Sequence, residues 1–171
     1  MRFSHKLSVG AAIVLLVSLA AVSLAQTTPA PKNGGGPNKL MRQSDRQCNR
    51  AVVVMQAALP IYHGHRVRAI EITKIAIDEI NLGLKNDTTD TSASVQQRLG
   101  ALKNLNEPGG NYKQGQINNS NKRMVKAQTV LTRAQANLTA SPKDYGGHRA
   151  RALQLVNQAL SEIQLALSGS N

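Results

Sequence analysis

Two segments of the chain repeat each other without gaps at an offset of 83 residues: 38–85 and 121–168. Self-similarity of this kind means one supersecondary unit used twice, so the two segments must share a local structure. The match is closest in their second halves. There Tyr62-His63-Gly64-His65-Arg66-Val67-Arg68-Ala69 lies over Tyr145-Gly146-Gly147-His148-Arg149-Ala150-Arg151-Ala152. Ala76, Glu79, Ile80, Leu82 and Leu84 then coincide with Ala159, Glu162, Ile163, Leu165 and Leu167. The first halves share Asn38/Asn121, Lys39/Lys122, Met41/Met124, Arg50/Arg133, Ala51/Ala134 and Ala57/Ala140.

The unit reads as two helices around a turn. In the second copy Met124, Ala127, Leu131, Ala134 and Leu138 recur at alternating spacings of three and four. Ala140-Ser141-Pro142-Lys143-Asp144 interrupts them, and Leu153, Val156, Leu160, Ile163 and Leu167 resume the pattern. That is the seam of packed helices. The first copy follows with Met41, Ser44, Cys48, Ala51 and Met55, a break at Leu59-Pro60-Ile61, and then Ile70, Thr73, Ile77, Ile80 and Leu84. Five stripe residues per helix contribute about 1.5–3 kcal/mol each, which falls short of an ordering cost near 1–2 kcal/mol per residue. The expected fold is therefore all-α, with the two repeated hairpins packed as a four-helix bundle; a homodimer pairing hairpins from two chains is the alternative. Residues 86–120 join the copies, with loop compositions at both ends and a short helix expected over Ser94 to Leu105 through Val95, Leu99, Leu102 and Leu105.

Residues 1–25 have the form of a secretory signal peptide: a basic MRFSHK start, an apolar run from Leu7 to Leu24, and small residues at Ser23 and Ala25 before a cut. The run is long enough for an uncleaved anchor to be the alternative. Residues 26–37, with Pro29, Pro31, Pro37 and the Gly34–Gly36 run, read as a flexible tether. No second apolar run would make the mature chain a membrane protein, so the expected home is periplasmic or secreted. Cys48 has no partner in the chain, which excludes a disulfide framework and leaves a buried small hydrophobe or an intermolecular bridge.

Charge narrows the partners. Lys and Arg number 21 against 9 Asp and Glu, a net charge of +12 that falls to +10 without the leader's Arg2 and Lys6. Such a balance attracts polyanions such as nucleic acid, anionic lipid or acidic polysaccharide, without selecting among them. Another protein is a further candidate partner, a basic surface tuned for solubility is the plainer reading, and no cofactor is implied.

The repeated Gly-His-Arg-x-Arg turns are the candidate sites. Each opens the second helix of its unit, where the partial positive charge of a helix N-terminus ordinarily favours Asp or Glu. One reading is architectural: Gly64 and Gly147 permit the reversal, His and Arg satisfy the last carbonyls of the first helix, and Tyr62 and Tyr145 cover the bundle end with hydroxyls in water. A second is an anion site built from His65, Arg66, Arg68, His148, Arg149 and Arg151. A third is a metal site of His63, His65 and His148, which requires both turns at one end of the bundle. No G-x-S-x-G, H-E-x-x-H, phosphate-loop or dinucleotide fingerprint occurs, and the adjacent acids Asp78 and Glu79 read as a solvated face paired with Lys74 or Lys85. A non-catalytic binding or scaffolding protein with a basic surface is the expectation; a metal- or small-anion-binding module at the turns is its competitor.

The string Asp144-Tyr145-Gly146-Gly147-His148-Arg149, with the Asn157-Gln158-Ala159-Leu160 helix after it, resembles small exported bacterial helical proteins of uncharacterised function that carry a Y-G-G-H-R turn before an amphipathic helix. The resemblance spans the second helix of each copy, and His63 departs from it where the motif has Gly. It implies a helical fold and an extracytoplasmic home, and no activity.

Overall fold

A computed structural model describes residues 38–169, all within the Lys32–Asn171 unit of the chain; the leader and tether expected over 1–37 lie outside the described residues. The described chain is all helical: α1 (Lys39–Gln56), α2 (His65–Leu84), α3 (Ser92–Ala101), α4 (Gln114–Ala140) and α5 (His148–Ser168), with a single 3₁₀ turn at Leu102–Asn104. No described helix is long and apolar enough to cross a membrane.

The four long helices form a bundle-like arrangement in which each touches two others: α1 packs on α2 and α4, and α5 on α2 and α4. Side-chain bonds fix the directions. Ser44, near the start of α1, donates to the Ala134 carbonyl near the end of α4, and Arg123 near the start of α4 reaches the Ala57 carbonyl beyond the end of α1. α1 and α4 therefore run antiparallel. Gly83, at the end of α2, abuts Tyr145 and His148 at the start of α5, so α2 and α5 run antiparallel as well.

The core follows the seams closely in α1 and α4, where all ten stripe residues are buried. In α2 and α5 it is broader and rotated. Ile77, Leu84, Leu153, Leu160 and Leu167 are only partly buried, while Ala69, Ile72, Ile75, Ala76 and Ala152, Leu155, Ala159, Ala166 fill the interior. These two helices face one another, their hairpin mates and the connecting segment, so a wider arc leaves water than a two-row seam provides. Cys48 sits fully buried in the α1 stripe, and burial together with the Asp45 charge pushes its thiol up to about 12.

The connection also departs from the sequence pattern. α4 begins at Gln114, seven residues before the second copy, where the Gln116 side chain accepts the Lys113 N–H at 2.9 Å and closes the first turn. α3 forms close to where Val95, Leu99 and Leu102 suggest, burying Val95 and packing Leu99 and Leu102 on the core.

Candidate functional site

Each Gly-His-Arg turn begins with glycine in the left-handed region: Gly64 and Gly147 both have φ of +83°. In the first turn a Cβ would overlap the Leu105 carbonyl oxygen, so glycine is required there by space as well as by dihedral. The second turn is tied locally, the Asp144 carboxylate accepting the Gly147 N–H at 2.8 Å.

Past each glycine, His and Arg lie three residues apart and so share a face of the helix. They converge on a carboxylate from the opposite copy. His148 Nδ1 lies 2.7 Å and Arg151 Nε 2.9 Å from Glu79 Oε2; His65 Nδ1 lies 2.8 Å and Arg68 Nε 3.0 Å from Glu162 Oε2. A carboxylate only accepts, so an imidazole bonded to it donates from Nδ1, the nitrogen that also stands 2.8 Å from Arg68 Nη2 in one cluster and 3.1 Å from Arg151 Nη2 in the other. The exchange is reciprocal: α2 supplies the cations of one cluster and the acid of the other, and α5 does the same. Because the helices are antiparallel, the clusters lie at opposite ends of the α2–α5 interface.

The two clusters differ in burial. His148 and Glu79 are 0% and 2% exposed, His65 and Glu162 26% and 21%. Burial pushes the Glu79 carboxyl up, but hydrogen bonds from Thr91, His148 and Arg151, with the Arg151 charge, outweigh it and hold the group below the ordinary carboxylate range. Glu79 is thus no solvated partner of Lys74 or Lys85. Lys74 pairs instead with Glu71, and Asp78 with Arg98 of α3. The expectation failed because it read Asp78 and Glu79 as one surface feature, whereas neighbouring helix residues point about 100° apart.

The remaining turn arginines cap carbonyls as the architectural reading supposes. Arg66 Nη1 donates to Met55 O at 3.2 Å and Arg149 Nη1 to Leu138 O at 3.1 Å. The histidines do not cap. Nor do the tyrosine hydroxyls end in water: Tyr62 bonds Ser120 and Asn121, and Tyr145 bonds Asn38, which accounts for the asparagine shared by both copies.

The connecting segment locks onto both ends of this face. Thr91 donates to Glu79 at one end; at the other, the Leu105 carbonyl accepts Arg68 Nη1 at 2.9 Å and Glu107 pairs with Arg66. Of the six candidate anion-binding residues, five therefore bond the chain's own carboxylates, and Arg149 alone does not. The metal set is not brought together. His63 and His65 stand at one end of α2 and His148 beside the other, about 30 Å away at 1.5 Å per residue. Among the described residues no group of three or more His, Cys, Asp or Glu side chains is placed to hold a metal.

Charge divides by layer. α1 and α4 carry Lys39, Arg42, Arg46, Arg50, Lys122, Arg123, Lys126 and Arg133 against a single acid, Asp45. In α2, three Lys and Arg meet three acids. Arg42, Arg46 and Arg50 follow one another at four-residue steps on the exposed face of α1, about 6 Å apart along the axis. Lys122, Lys126 and Arg133 line the exposed face of α4. None of these six forms an ion pair within the described residues. The acids Glu79, Glu107 and Glu162 drew too little notice in the sequence, although Glu79 and Glu162 are the acidic pair that both copies share.

Compared with protein-family models, curated proteins and solved structures, the chain matches none.

Proposed function

We propose that this is a non-catalytic exported protein, built as a duplicated hairpin in a four-helix bundle, that binds or scaffolds a polyanionic partner through the α1–α4 layer. The observation that carries the reading is the segregation of charge. Eight cations and one acid occupy α1 and α4, while every Lys and Arg of α2 and α5 except Arg149 is paired with an acid of the chain. Two antiparallel rows of unpaired cations on neighbouring helices form a stripe suited to a linear chain of negative groups. Tyr62 and Tyr145 are buried in the turns, and half-buried Tyr112, just ahead of α4, is the one described tyrosine outside them. The cation rows therefore favour recognition of backbone charge over base readout.

A protein partner is the second reading, favoured by Val53 and Val125. They are exposed by 65% and 49% and stand on this same layer.

The test is a salt titration of binding to heparin and to duplex DNA. The Arg42→Gln, Arg46→Gln, Arg50→Gln triple variant should flatten the log–log salt slope by about 2–3, while Lys74→Gln on the opposite layer should leave it unchanged. Absence of polyanion binding at low salt would leave the protein-partner reading in its place.

A further inference from the structure

The four turn arginines are not used alike, and the exception is informative. Arg68 and Arg151 hold Glu162 and Glu79. Arg66 divides its guanidinium: Nη1 caps the Met55 carbonyl, and the edge formed by Nε and Nη2 takes Glu107 Oε1 at 2.7 and 2.5 Å. Arg149, its counterpart in the second copy, repeats only the first half. Its Nη1 caps Leu138, while Nε is buried without a hydrogen-bond partner. Nη2 is not among the buried atoms without partners and makes no hydrogen bond to a described residue, so the guanidinium meets solvent at Nη2 while Nε beside it is covered, and a ligand enters from the Nη2 side. At the same helix end the hydroxyl of Ser141, 5% exposed, is also buried without a partner.

We infer that the Nε–Nη2 edge of Arg149 is a carboxylate-binding site filled from outside the described chain. A buried donor on a charged group is costly to leave unpaired, and a bond to an anion is the strongest way to satisfy it. The planar pair of donors fits a carboxylate, and the matching edge of Arg66 already holds one. Among the described residues no acid reaches this edge: Asp144, five residues earlier, accepts the Gly147 N–H and forms no ion pair with Arg149. Residues 1–37 contain neither Asp nor Glu. The shared chemistry is a carboxylate, whether of a small organic acid or of an acidic side chain on a polypeptide. This inference stands apart from the basic-layer reading, which concerns α1 and α4.

The experiment follows the arginine Nε–H signals of the ¹⁵N-labelled protein by NMR, titrating sodium acetate against sodium chloride at matched ionic strength. Arg149 Nε–H should shift saturably with acetate and not with chloride, and Arg66 Nε–H should stay still because Glu107 occupies its edge. In the Glu107→Ala variant, which removes the acceptor, Arg66 should acquire the same acetate response, which shows what an opened edge looks like. A short glutamate peptide distinguishes the sources. Binding at least tenfold tighter than acetate per carboxylate indicates a polypeptide partner, and equal binding indicates a small acid; either supports the site. An Arg149 signal that ignores both ligands, while Arg66 of Glu107→Ala responds, overturns it. An equal response of Arg149 to acetate and chloride overturns it as well, since that is screening and not recognition.

Discussion

A carboxylate that is 2% exposed is tolerable only because its oxygens are saturated, and Glu79 shows what that requires: Thr91 on one oxygen, His148 and Arg151 on the other. Glu79→Gln should therefore cost about 2–4 kcal/mol in urea unfolding, because it leaves a buried imidazole and a guanidinium without their anion. Glu162→Gln removes the same contacts from a site open to water and should cost roughly half as much. The pH profile follows from the direction of the Glu79 shift. A carboxyl held below its ordinary range in the fold stabilises above its unfolded value, near 4.3, and that contribution disappears as pH falls through the lower folded value. Stability should thus decline below about pH 4.3, and Glu79→Gln should flatten that decline. Cys48 is governed by burial. Its thiol, pushed up to about 12, should resist a thiol reagent such as dithionitrobenzoate in the native protein and react fully in denaturant. Native-state labelling at the rate of an exposed thiol would contradict that account.

At the scale of elements, the two turns look interchangeable in sequence and are not so in space. Gly64 is overlaid by the Leu105 carbonyl of the connection, whereas the nearest obstacle to a Cβ at Gly147 is the flexible end of Arg151 at 3.1 Å. Both substitutions to Ala pay for a left-handed dihedral, about 1–2 kcal/mol. Gly64→Ala must also displace backbone that accepts the Arg68 hydrogen bond, so thermal unfolding should place it well below Gly147→Ala in stability. The helices themselves were legible, since three-and-four spacing exposes α1 and α4 almost residue by residue. The phase of α2 and α5 was not, because a helix flanked by two long neighbours and a covering segment buries an arc that no single seam describes. Glu79 was misread for a related reason: a charged residue beside another charge looks solvated until the facing helix brings His148 and Arg151 to it. The reciprocal clusters nevertheless left a trace in the sequence, because His, Arg and Glu recur together in both copies and each copy's cations need the other's acid.

Taken whole, the molecule is held by contacts between the copies as much as within them. α1 packs on α4 along its length, α2 on α5, and each α2–α5 cluster takes its acid from the far copy. A single hairpin would expose the apolar row of each helix and strand a His–Arg pair without an anion, which its own few stripe residues cannot offset. The connection adds to the interface, because α3 stays with the first hairpin and covers the seam between α2 and α5 from the outside. These relations predict complementation: two polypeptides divided between Gly109 and Gly110, in an exposed part of the connection, should each be unfolded alone and should assemble one to one when co-expressed. Circular dichroism of each fragment and of the mixture measures this directly. Assembly should weaken sharply when Glu79→Gln and Glu162→Gln are combined, since together they remove the ion pairs that cross from one hairpin to the other. A first fragment that is helical and monomeric by itself would mean that its hairpin needs no partner, and the reciprocal clusters would then orient the two halves without being needed to fold them.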